Sequence, residues 1–90
     1  MTDPTYRRHP DIRLTELEGE GVVLHLGARR YFSVNETGLL LLEQLRQPRT
    51  FVELVNAVLN DYEVDPPTAA ETTRAFLDQC VSASVVEVTA

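Results

Sequence analysis

The apolar residues change their spacing once along this chain, close to Asn35, and that change fixes the order of its elements. Upstream they recur at every second position: Ile12 and Leu14, then Val22, Leu24 and Leu26, then Phe32 and Val34. A period of two sets one face of a strand against a core and the other in water. Glu18-Gly19-Glu20-Gly21 and Gly27-Ala28-Arg29 lie between these runs and carry the glycines that tight connections need. The segment therefore predicts a three-stranded antiparallel meander with strands of about five residues. In this phase Val22, Leu24 and Leu26 face inward and His25 faces solvent.

Downstream the period is helical and each helix has its own start signal. Asn35 is placed to cap a first helix in which Leu39, Leu42 and Leu45 share a face, and Gln47-Pro48-Arg49 stops it. Thr50 and Glu53 form a capping box ahead of Leu54, Val55, Val58 and Leu59, and this second helix ends around Tyr62. A third starts at Asp65 with Pro66 in its first turn, or at a second box, Thr68 with Glu71. Ala69, Thr73, Phe76, Leu77 and Cys80 then make its apolar stripe, and Val85, Val86 and Val88 leave helical spacing as a short extended tail. The fold class is α+β: a β-meander followed by three helices. The 90 residues fit one domain, with residues 1–10 a flexible N-terminal segment.

Size and charge restrict what such a domain does. A chain this short buries only about 60–65% of its unfolded surface, which favours a surface groove over a deep pocket. The net charge is −6, and the imbalance lies after Asn35, where nine acids face only Arg46, Arg49 and Arg74. A winged-helix DNA-binding regulator is the alternative that the helix layout allows, but it needs a basic face, and this chain has eight arginines, no lysine and no basic helix. Nucleic acid is disfavoured as a partner. Cys80, the only cysteine, suits a reducing compartment, and neither a signal peptide nor a membrane-spanning run is legible, so a cytoplasmic protein without a membrane partner is expected.

The residues offer no catalytic constellation. Cys80 belongs to the stripe that faces the core, which makes it a structural thiol rather than a nucleophile paired with His9 or His25. Zinc wants about four ligands and no Cys/His cluster supplies them. Asp61, Glu63 and Asp65 alternate like calcium ligands but lack the central glycine and closing glutamate of such a loop. No phosphate-binding glycine loop or nucleophile elbow occurs. The expectation is a non-enzyme with no catalytic residue, metal or cofactor.

Arg29-Arg30-Tyr31-Phe32-Ser33-Val34 is the last strand before the helices and so an edge of the meander. Its arginines fit two roles equally: gatekeepers against edge-to-edge aggregation, or the rim of a strand on which an extended peptide docks.

From about His9 to Val88 the chain resembles the PqqD-like family, the recognition elements that bind leader peptides of ribosomally synthesised, post-translationally modified peptides. The resemblance is carried by the strand Gly21 to Leu26, the junction Tyr31-Phe32-x-Val34-Asn35-Glu36-Thr37-Gly38, the helix start Arg49-Thr50-x-x-Glu53-Leu54, and Val64-Asp65-Pro66 leading to Arg74-Ala75-Phe76-Leu77. It implies a winged helix-turn-helix-like fold. It also implies that a precursor leader peptide adds as a strand beside Arg30 to Val34, with Arg29, Arg30, Tyr31, Phe32, Ser33 and Val34 on one wall of the groove. Ala70, Thr73, Arg74, Leu77 and Val81 of the third helix would form the other. The partners implied are the leader and a maturation enzyme, a cysteine leader peptidase or a radical SAM enzyme. Leu26-Gly27-Ala28-Arg29, where the pyrroloquinoline quinone protein carries Pro-Glu-Gly, makes the chain more similar to stand-alone members from lasso-peptide clusters.

Overall fold

The computed structural model of the protein describes residues 3–89. It contains two three-stranded sheets and three helices. Strand β1 spans Thr5–Arg8, β2 Ile12–Leu17, β3 Glu20–His25 and β4 Arg30–Val34; helix α1 runs Glu36–Gln44, β5 is Arg49–Thr50, α2 is Phe51–Asp61, α3 is Pro66–Ser82 and β6 is Val86–Thr89. The expected meander is present as the antiparallel sheet β2-β3-β4, so β4 has a partner on one side only. Its first turn consists of Glu18 and Gly19, both at positive φ (52° and 83°), the conformation that a two-residue hairpin with the native twist requires.

The second sheet, β5-β1-β6, was not expected. Thr5–Arg8, part of the segment expected to be flexible, is a strand paired with Arg49–Thr50 on one side and Val86–Thr89 on the other. Its one large apolar side chain, Tyr6, is buried.

The helix caps form as their residues dictate. Asn35 Oδ1 accepts from the Gly38 N–H at 2.9 Å, and Thr50 and Glu53 exchange both capping-box bonds at 3.2 and 2.8 Å. Each such cap stabilises its helix by about 1 kcal/mol. The Thr50 backbone N–H also holds the Glu53 carboxyl below its ordinary pKa. Helix α3 takes the earlier of its two candidate starts: Asp65 is the N-cap without a side-chain bond, and Pro66 occupies the first turn, where its missing N–H leaves no bond unmade.

The core lies between the sheets and the three helices and includes Leu41, Leu42, Leu45, Leu54, Leu77, Val23 and Val86. Strand β3 enters it in the opposite phase to the one its apolar spacing predicts: Gly21, Val23 and His25 face inward, while Leu24 and Leu26 are 41% and 52% exposed. Two contacts enforce this phase. A Cβ on Gly21 would stand 2.7 Å from Val34 Cγ2 and 3.1 Å from Leu39 Cδ1, so only glycine fits where α1 crosses the sheet. The His25 ring packs 4.7 Å from that of His9, and its Nδ1 accepts from the Ala28 N–H at 3.1 Å. His25 is thus buried rather than solvent-facing, and because side chains alternate, one anchored position sets the whole strand.

Candidate peptide-binding site

Strand β4 is positioned from one side by β3, in the register Gly21↔Val34, Val23↔Phe32 and His25↔Arg30. Phe32 and Val34 lean inward half-buried, while Arg30, Tyr31 and Ser33 are exposed, Tyr31 at 75%. Among the described residues the other side of β4 has no strand neighbour, and alternate residues there direct their main-chain N–H and C=O groups outward.

A cleft of about 130 Å³ opens between this strand and α3. Phe32, Ser33 and Val34 form one wall, Phe76, Gln79, Cys80 and Ala83 the other, and Val23, Leu42 and Val85 the floor. It continues toward the start of α1 as a shallower depression of about 170 Å³ edged by Asn35, Thr37, Gly38, Thr72 and Ala75, sharing Phe76 and Gln79 with the cleft. Gly38 sets how closely the walls approach, since a Cβ there would lie 2.8 Å from the Phe76 ring. Burial pushes the Cys80 thiol up to about 12, so it stays protonated at neutral pH and acts as apolar wall, as its place on the helix stripe predicts. The surface suits an extended chain that offers backbone hydrogen bonds to β4 and apolar side chains to the cleft.

The structure places the expected site residues in two groups. Arg29 lies in the turn before β4, at a φ of 55°, Arg30 is the first residue of the strand, and Tyr31 through Val34 follow along its free edge. The expected residues of α3 do not come to this groove. Thr73 and Leu77 are fully buried within the core. The Arg74 guanidinium sits 4.1 Å over the Phe51 ring and donates to Tyr6 Oη at 3.1 Å, which ties it to α2 and β1. At about 100° per residue, Ala70 and Val81 fall on the Arg74 side of the stripe, away from β4. The helix flank that faces β4 carries Phe76, Gln79 and Ala83, and it continues as Thr72 and Ala75 beside the start of α1. Of these, Phe76 reads in the sequence as part of the apolar stripe, and Ala75 only as part of the motif that carries the resemblance.

Among the described residues no group of three or more His, Cys, Asp and Glu side chains is placed to hold a metal ion, and no helix is long and apolar enough to cross a membrane.

Comparison with known proteins follows the same geometry. A solved structure described as TbiB1 in complex with the TbiA(beta) leader peptide matches with a TM-score of 0.84 at 26% identity, covering 93% of this chain and 98% of that one. A second, described as lasso peptide synthetase B1 complexed with the leader peptide, matches with a TM-score of 0.78 at 18% identity over 91% and 96% of the two chains, a likeness of fold. No curated protein matches. The family model described as coenzyme PQQ synthesis protein D (PqqD) matches residues 20–86, from the start of β3 to the first residue of β6. Spanning the meander's free edge, all three helices and the cleft between them, that match shows that the chain belongs to the PqqD family.

Proposed function

We propose that this protein binds the leader segment of a ribosomally synthesised, post-translationally modified peptide precursor as a fourth strand on β4, and presents it to a separate maturation enzyme. One observation carries the reading: the only side of β4 without a partner strand opens directly onto an apolar cleft against α3. The likeness to TbiB1 in its complex with a leader peptide supports it. The bound leader supplies main-chain groups to the β4 edge and seats apolar side chains between Phe32, Val34 and Phe76. The chain itself performs no chemistry on the leader; it raises the leader's effective concentration at its partner, a cysteine leader peptidase where the product is a lasso peptide.

The test is a titration of the isotope-labelled protein with the leader peptide encoded beside its own gene. Saturation at micromolar concentrations or below, about −8 kcal/mol or better, is expected, because the ordered strand must offset its own conformational entropy. Amide shifts should concentrate on Tyr31 to Val34 and on Phe76, Gln79 and Ala83, with strand-type contacts between the chains. A leader that binds as a helix, or whose contacts fall on α2, overturns the proposal.

A further inference from the structure

Four of the eight arginines gather at the opposite end of the meander from β4. Arg7, Arg8, Arg13 and Arg46 surround a concavity of about 390 Å³ whose exposed apolar lining is Pro10 and Pro48, above the buried Ile12 and Leu45. Arg7 and Arg46 have exposed ion-pair partners, Glu87 at 2.9 Å and Glu43 at 2.8 Å. Arg8 and Arg13 have none among the described residues: their guanidinium groups donate only to backbone carbonyls, Arg8 to Leu42 and Arg13 to Pro10 and Ile12. These bonds hold both cations at the wall without neutralising them, in a chain whose net charge is −6. Exposed ion pairs such as those of Arg7 and Arg46 are worth about 1 kcal/mol or less, so a competing carboxylate can displace them.

We infer that this concavity is a second docking surface, and that it takes a carboxylate-rich segment of a partner protein in which acidic side chains alternate with apolar ones. Guanidinium groups match carboxylates bidentately, and the exposed Pro10 and Pro48 rings among them offer contact to an apolar side chain. A nucleic acid fits less well, because it requires a broad basic face, whereas the acids elsewhere on this chain repel a long polyanion. Strand β2, which begins at this concavity, and β4 are the two outer strands of one sheet, so a chain docked at either edge leaves the other open. The inference stands whether or not β4 receives a leader.

The test uses the isotope-labelled full chain with no leader present and a synthetic blocked peptide of glutamates interrupted by leucines. Amide and guanidinium shifts are expected at Arg7, Arg8, Arg13 and Arg46 and not along β4. Binding should weaken at least about tenfold in an Arg8→Gln, Arg13→Gln double variant, and should vanish at about 1 M salt, where the Debye length is about 3 Å. Replacing the peptide's glutamates with glutamines should abolish it. If the double variant does not fold, Arg7→Gln with Arg46→Gln removes charge from exposed positions and should weaken binding about threefold. Shifts that fall elsewhere, or affinities unchanged in folded variants, overturn the inference. An oligonucleotide or inorganic phosphate that binds the concavity as tightly as the peptide overturns the assignment to an acidic protein segment.

Discussion

The two flanks of α3 face different surroundings. On one, Phe76, Gln79 and Ala83 face a strand whose outer backbone groups are unpaired, and a cleft remains between them. On the other, Arg74 is locked between the Phe51 ring and Tyr6 Oη, closing helix α3 against α2 and β1. What separates the two flanks is the state of the element opposite each. An edge strand leaves main-chain hydrogen bonds unclaimed beside the apolar cleft, whereas on the Arg74 flank the facing strand is paired and the facing helix packed.

The contrast is broken or sharpened by substitutions along α3 and β4. The largest effect is expected for Leu77→Ala in the stripe between the flanks: a loss of about 2–5 kcal/mol in urea unfolding, with leader affinity of the folded fraction within about twofold of the parent. A tenfold loss of affinity without loss of stability would place Leu77 in the groove after all. Phe76→Ala should do the reverse, weakening leader binding by about tenfold or more, about 1.4 kcal/mol, in calorimetric titration, with a smaller cost to folding because the ring is half-buried. Arg74→Ala removes a cation–π contact and a hydrogen bond, so thermal unfolding should show a loss of about 0.5–2 kcal/mol while leader affinity is unchanged. If affinity falls instead, the two flanks are not separate. The smallest effect is expected for Arg30→Ala, an exposed charge at the start of β4: less than about tenfold in affinity, seen at low salt and absent at high salt.

Local rules were enough for the helices and failed where distant residues decide. Capping is an interaction over three residues, so Asn35 with Gly38 and Thr50 with Glu53 are legible directly from the sequence. The phase of β3 is not. Leu24 and Leu26 outweigh Gly21 and His25 on any hydrophobic scale, but what decides is the space that α1 leaves over Gly21 and the tilted packing of the His25 ring against His9. The sheet β5-β1-β6 joins segments of two to four residues from the beginning, middle and end of the chain, and none is long enough to display a period. For the site, the edge position of β4 follows from the order of the meander, and the stripe of α3 from its spacing. Which flank of that stripe turns toward β4 depends on how the helix is laid over the sheet, and a helical repeat reads the same from either side. That is why Ala70, Arg74 and Val81 were expected where Thr72, Ala75 and Gln79 stand.

In the sheet that joins the two extremes of the chain, Thr5 lies directly opposite Thr89 on adjacent antiparallel strands. Paired Cα atoms in such a ladder are separated by about 4.5–5.5 Å, so the polypeptide enters and leaves this fold at almost one point. A unit with that geometry can be spliced into a surface loop of a host enzyme with little strain on the host, since the gap it must bridge is no wider than a hairpin. The same pairing makes circular permutation practicable: a short glycine-rich bridge between the old ends would allow new ends at an exposed turn such as Glu18-Gly19, with β4 and its cleft left intact.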